Sequence, residues 1–164
     1  MKYKISKVIL SSGLGGKSPK QISTIRQHFQ LIFDRFLGVV KKQKILTTQC
    51  KTANAKFKIR QGVDMGLKVT LRKEKIKEMI QFLKKSIASF HEKVRYSSNA
   101  LFFGVRDHRT LRLERYNHSA PEYGLNISIH FDFVGSRIKY RRINPLNPKV
   151  TIPVETCLAL LDHV

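Results

Sequence analysis

Acidic residues are scarce in this 164-residue chain, with 11 Asp and Glu against 32 Lys and Arg. No two of those carboxylates can be assigned to one site from spacing, so a paired-carboxylate mechanism has no support. Tryptophan is absent, and only two cysteines occur. Cys50 and Cys157 lie far apart without ligand-spaced neighbours, which argues against a zinc ribbon, and neither sits in an activating context for a nucleophile. The histidines at 28, 91, 108, 118, 130 and 163 are scattered, so each reads as satisfied or solvent-facing rather than as a metal ligand. No apolar run approaches the ~18 residues needed to cross a bilayer. The start, MKYKISKVIL, reads as entering a strand at once, an expectation that leaves no room for a signal or transit peptide. These absences predict a chain with no catalytic residue, no metal, no cofactor and no small-molecule substrate.

What is abundant is positive charge. A formal net charge of +21 costs self-repulsion unless a polyanion neutralises it. A membrane surface usually engages a basic amphipathic helix with a bulky aromatic face, and no segment concentrates its charge in that way. Nucleic acid is therefore the expected partner. With 41% hydrophobic residues the chain is no disordered basic tail, and its length suits one domain with a real core.

The most distinctive stretch is Lys56 to Arg72, KFKIRQGVDMGLKVTLR. Phe57 and Ile59 before the centre, and Leu67, Val69 and Leu71 after it, alternate as half-buried strands do. Lys56, Lys58, Arg60, Lys68 and Arg72 then fall on the other face. Gly62 and Gly66 bracket the turn, where positive φ or close approach of another backbone is easiest for glycine. The stretch predicts a β-hairpin with a basic tip, able to lay cations along a phosphate backbone.

Elsewhere, Ile5 to Leu10 predicts a strand and Ser11 to Lys17 a glycine-rich loop. A helix follows, with Ser18 as N-cap, Pro19 at its first position, Ile22, Ile25, Phe29 and Phe36 at helical spacing, and Gly38 closing it. Gln43 to Gln49 reads as a short strand. A second helix runs from about Lys73 to Glu92, with Ile76, Met79, Ile80, Leu83, Ile87 and Phe90 on one face and a lysine-rich solvated face opposite. Tyr96 to Ala100 reads as a polar loop, Leu101 to Val105, Leu111 to Tyr116 and Leu125 to Val134 as strands, and a short helix starts at Pro153. This order predicts an α+β fold in which two main helices pack on a largely antiparallel sheet with a protruding basic hairpin.

A strand, GGKS and a helix resemble a phosphate-binding loop, but serine at position 11 replaces the first glycine of that pattern. Without βα alternation a nucleotide-binding protein is the lesser alternative, and a free-standing RNA chaperone is another. RNA binding has its ingredients: cations for counterion release, and aromatics such as Tyr96, Phe102, Phe103, Tyr116, Tyr123 or Tyr140 that could stack on unpaired bases where they are not core.

Over residues 3 to 134 the chain resembles the large-subunit ribosomal protein five family, the universal binder of 5S ribosomal RNA. FKIRQG, Gly66 and KVTLR carry the likeness most specifically. ISKVILSSGLGG, QKILTT, FGVRDH and YGLNISI add similar pieces in the family's order. The resemblance implies an α+β sandwich whose concave sheet face holds 5S and large-subunit RNA in the central protuberance. Ser11, Gln43 and Thr70 correspond to its polar contacts, with Lys44, Lys51 and Arg72 beside them. It also implies that the loop of Lys56, Lys58, Arg60, Gln61, Gly62, Gly66 and Lys68 reaches the peptidyl-site tRNA and a small-subunit head protein.

Two departures from the family stand out. The amino-terminal helix of bacterial members is missing, and a basic segment, KYRRINPLNPK, replaces an acidic stretch. The chain therefore divides into a ribosomal protein five-like domain, 1–134, and a basic extension with a short terminal helix, 135–164. Arg137, Lys139, Arg141 and Arg142 form the extension's patch. The lysine-, isoleucine- and phenylalanine-rich style suggests an AT-rich organelle genome, so a mitochondrial ribosome is expected, with a plastid or bacterial one as alternatives.

Overall fold

The computed structural model of the chain describes residues 2–37, 44–57, 59–86, 94–97, 99–111, 122–135 and 151–163. Six strands form one sheet: β1 (Tyr3–Gly13), β2 (Leu46–Gln49), β3 (Asp64–Leu71), β4 (Arg95–Ser97), β5 (Ala100–Val105) and β6 (Leu125–Phe133). Their order across the sheet is β2-β3-β1-β6-β5-β4, and every described pair is antiparallel. Three helices, α1 (Pro19–Leu37), α2 (Glu74–Ser86) and α3 (Val154–Asp162), complete the α+β fold that the element order predicts.

Period-two alternation decides which side the helices cover. Val8 and Leu10 of β1 are in register with Leu71 and Val69 of β3, and with Ile129 and Ile127 of β6; all are buried. Leu101 and Phe103 of β5 extend the same apolar face. On it pack α1 through Ile22, Ile25 and Phe29, α2 through Ile76, Met79, Ile80 and Leu83, and α3 through Cys157 and Leu161. Burying each such side chain contributes about 1.5–3 kcal/mol. Lys84 of α2 donates to the Leu161 carbonyl, tying α3 to α2. The Tyr96 hydroxyl donates to the Ile152 carbonyl. The terminal helix thus shares the core of the segment before residue 135.

Local signals at α1 hold closely. The Ser18 hydroxyl accepts from the Gln21 amide, and the Gln21 side chain accepts from the Ser18 amide, a reciprocal capping box ahead of Pro19. The hairpin needs correction. Only its second limb is a strand, and β3 pairs not with Lys56 to Arg60 but with β2. The two are joined by residues 50–63, a long loop closed twice. Cys50 and Val63 bond through N–H and C=O, as do Asn54 and Ile59 in both directions. Phe57 is 72% exposed on it, so alternation there reports no buried face.

Other boundaries shift as well. β1 continues through Ser11, Ser12 and Gly13, so the loop to α1 begins at Leu14. Arg95 to Ser97 is a strand rather than loop, since pairing with Ala100 to Phe102 recruits three residues with no pattern of their own. Leu111 ends a 3-10 turn, His108–Leu111, and not a strand. Gly38, Ile87, Phe90, residues 112–116 and Tyr140 lie outside the described residues.

A polar cluster lies within the helix-covered side. His28 of α1 has Nδ1 2.9 Å from the Tyr123 hydroxyl, and the His108 ring stacks on Tyr123 with centroids 4.2 Å apart. Asp107 Oδ1 stands 3.1 Å from His108 Nδ1. Burial lowers the pKa of His28, helped by its neighbour His108. Burial also lowers that of His108, against the opposing pull of Asp107. The same burial raises the Tyr123 phenol above its ordinary range.

Two outcomes follow from this packing. A Cβ at Gly66 would meet the Ser12 carbonyl oxygen at 2.6 Å and Thr48 Oγ1 at 2.9 Å, whereas Gly62, at φ +82°, faces open space. Gly66→Ala is expected to cost about 1–3 kcal/mol. That loss lowers the thermal midpoint by roughly 2–4 °C per kcal/mol in a chain of this size. Gly62→Ala costs about 1–2 kcal/mol of left-handed strain alone and leaves the sheet unchanged. Thermal unfolding, with amide exchange on β1 and β3, checks both, and an undisturbed sheet in Gly66→Ala would remove the close-approach argument. For the histidines, the unfolded chain takes up protons first. Stability should be full above the ordinary value of 6.5 and fall as pH drops from there through the lowered folded values. Urea titrations between pH 6.5 and about 5, above the range where carboxylates titrate, should show this slope. His108→Phe should reduce it, leaving the parts due to His28 and His130.

Candidate nucleic-acid interface

The side of the sheet opposite the helices is polar, and register sets its composition. One row across the strands reads Leu46, Lys68, Ser11, Asn126 and Gly104. The next reads Thr70, Ile9, Ser128, Phe102 and Arg95. A third carries Lys7, His130 and Ala100. These three rows hold three cations and no carboxylate. Asp132 comes one row further, opposite Lys4 at the end of β1.

Ser11 and Lys68 are direct cross-strand neighbours, and Thr70 stands two residues along from Lys68 on the same face. The Ser11 hydroxyl lies 3.5 Å from the Asn126 carbonyl, at the outer limit of a hydrogen bond, and the serine remains half-buried. Lys44, Lys51 and Arg72 are exposed at the ends of β2 and β3. Gln43 lies outside the described residues, as do Lys58, Arg137, Lys139, Arg141 and Arg142. Lys56, Arg60, Gln61 and Gly62 are exposed on the long loop. Gly66 and Lys68, grouped with the tip by sequence, lie instead in β3, where Gly66 is buried under the β1 backbone.

Sequence reasoning missed half of this surface: Lys7, Arg95, Asn126, Ser128 and His130. The signal was present in LNISIHFDF, where every second residue is polar, but which strand faces it depends on long-range register. The His130 ring lies near Phe102, with centroids 6.3 Å apart and planes at 78°. Its pKa is lowered by burial first, then by Lys7 and Lys68.

Three amides of the glycine-rich loop are turned inward. The Leu14 amide donates to the Met65 carbonyl at 2.8 Å, that of Lys17 to the Leu14 carbonyl at 3.1 Å, and that of Ser18 to the Gln21 side chain at 3.0 Å. Those donors are consumed within the protein, and Leu14 is buried. The strand before the loop belongs to an antiparallel sheet, not to the parallel βα unit that nucleotide loops require. Among the described residues, no three His, Cys, Asp or Glu side chains gather where they could hold a metal. No described helix is long and apolar enough to cross a membrane. Of the aromatics considered for stacking, Phe103 and Tyr123 are core, and Phe102 is exposed on the polar face.

No family model matches the chain. Curated relatives do. It is 27% identical over 153 residues to the large ribosomal subunit protein uL5 of Methanococcus aeolicus, covering 89% of this chain and 78% of that protein. With uL5 of Methanococcus maripaludis it shares 33% identity over 108 residues, 62% of this chain and 58% of the relative. With uL5 of Alkaliphilus oremlandii it shares 38% over 77 residues, 46% and 38% of the two chains. The agreement extends over most of the length and accompanies an α+β architecture and motif order that sequence alone had suggested. These relatives, matched over much of the chain, support its place in the large ribosomal subunit protein uL5 family, whose members are structural proteins and not enzymes.

Proposed function

We propose that this chain is a structural constituent of the large ribosomal subunit that holds ribosomal RNA against the face of its sheet opposite the described helices. The observation that carries the reading is the set of three carboxylate-free rows bearing Lys7, Lys68 and Arg95. Helices cover the other face, so the polar side offers a broad, preformed surface. Cations on it displace the counterions of a phosphate backbone, and hydroxyls and amides fix its position.

The finer assignment follows the same lines. The RNA on the sheet is 5S and neighbouring large-subunit rRNA in the central protuberance, contacted by Ser11, Lys68 and Thr70, with Lys44, Lys51 and Arg72 at the strand ends and Gln43 as a further contact. The long loop, closed at Cys50–Val63 and again at Asn54–Ile59, follows the edge strand β2 and carries Lys56, Arg60 and Gln61 exposed. Its double closure supports a role as a stiff arm reaching the peptidyl-site tRNA and a small-subunit head protein. The basic segment with Arg137, Lys139, Arg141 and Arg142 adds RNA contacts. The lysine-, isoleucine- and phenylalanine-rich style supports a mitochondrial ribosome, although the matched relatives are archaeal or bacterial.

Sedimentation of native extract, followed by sequencing of RNA crosslinked to the protein, tests the reading. Migration with the large subunit and crosslinks to 5S or adjacent large-subunit RNA are expected. A protein remaining at the top of the gradient, bound weakly to many RNAs, would favour the chaperone alternative. Lys68→Ala and Arg60→Ala should each reduce the slope of log affinity against log salt by about one. Lys77→Ala, on the solvated face of α2, should leave that slope alone. Bound phosphate favours charged His130, so RNA binding takes up a proton there, and affinity should rise as pH falls below 6.5. A pH series by filter binding should show the rise, and His130→Gln should remove it.

A further inference from the structure

The half of the polar face formed by β5 and β6, away from Ser11, Lys68 and Thr70, contains a depression. A groove of about 550 Å³ opens there beside Phe102, Gly104, Asn126 and Ser128, with Arg95 at its rim. The volume falls within the ~300–1,000 Å³ typical of small-molecule sites. Phe102 is 37% exposed, and its perpendicular contact with the His130 ring restrains it without covering it. Gly104 has no side chain, and a Cβ there would lie 3.5 Å from Asn126 Oδ1, so the Asn126 amide extends over the bare strand. Arg95 is in register with Phe102 from the neighbouring strand.

These groups form a recognisable set. A phenyl ring offers a stacking surface, and an amide supplies one donor and one acceptor. A hydroxyl adds a second polar contact, a guanidinium supplies positive charge at the rim, and no carboxylate lines the groove. A flat heteroaromatic ring joined to a phosphate satisfies all of them. A base within a helix presents only its edges to a protein, so a ring stacked on Phe102 must come from an unpaired or bulged nucleotide.

We infer that this groove accepts one unpaired nucleobase, extruded from the RNA on the sheet face and stacked on Phe102, with Asn126 reading its hydrogen-bonding edge and Arg95 its phosphate. The inference rests on the RNA-binding reading and adds a site selective for nucleotide geometry. A lone exposed phenylalanine is ordinary on a protein surface. Its combination here with an amide, a guanidinium and an open groove gives it a use.

The test takes the full chain and two hairpin RNAs, identical except that one carries a single bulged 2-aminopurine. The bulged hairpin should bind about tenfold more tightly, with the fluorescence of the probe quenched. Phe102→Leu should abolish both effects while the fully paired hairpin binds with unchanged salt slope, and Phe102→Trp should keep them. Asn126→Ala, at an exposed position that tolerates truncation, should also weaken the preference. Equal affinity for the two hairpins, or a preference that survives Phe102→Leu, overturns the groove and leaves RNA binding by the sheet in place. Failure to bind either hairpin overturns both.

Discussion

The pairing of β1 on both of its edges is the constraint on which the rest depends. β1 lies between β3 and β6, so its alternation is imposed on both neighbours. Val8 and Leu10 send one face toward the helices while Lys7, Ile9 and Ser11 send the other toward solvent. A slip of one residue would exchange the faces, burying lysine and exposing the core. A single irregularity is tolerated near the start of the strand, where the register shifts between Ile5 and Lys7. There the Ser6 hydroxyl donates to the His130 carbonyl, so an added residue brings its own hydrogen bond.

That division lets a chain with a formal charge of +21 fold around an apolar core and still keep its cations available. Lys77 and Lys85 of α2 are exposed beside a buried stripe, and the lysines of the sheet sit on a face that no described helix covers. Mutual repulsion is then greatest where a polyanion would relieve it. The lowered pKa of His130 is a local expression of the same crowding, since burial and two neighbouring lysines disfavour a further positive charge. Burial also lowers the pKa values of His28 and His108, where the second influence is not lysine but the neighbouring histidine at His28 and an opposing pull from Asp107 at His108.

Legibility in the sequence followed the range of the interactions. The cap of α1 was readable because Ser18, Pro19 and Gln21 interact within one turn, and the core stripes of α2 and β6 because each has its own period. The first limb of the hairpin was misread because Phe57 and Ile59 alternate without a sheet to bury them. β4 was invisible because three residues gain strand structure only by pairing with β5. The polar face was half legible. Ser11 and Thr70 came from motif likeness and Lys68 from alternation, whereas Arg95, Phe102, Asn126 and Ser128 become neighbours only through pairings that join distant parts of the chain. Gly66 was recognised for the right reason, close backbone approach, but placed in the wrong element.

The outermost strands are brief: β2 has four residues and β4 three. The outer edges of a sheet are the places where a second molecule could extend it. So short a ladder gives an incoming strand few bonds in return for its lost freedom. Arg95 and the exposed Leu46, Thr48 and Gln49 make these borders mixed in character, not uniformly apolar. A newly made copy waiting for its nucleic acid is therefore guarded against fibrous self-association by the brevity of its borders as well as by its charge.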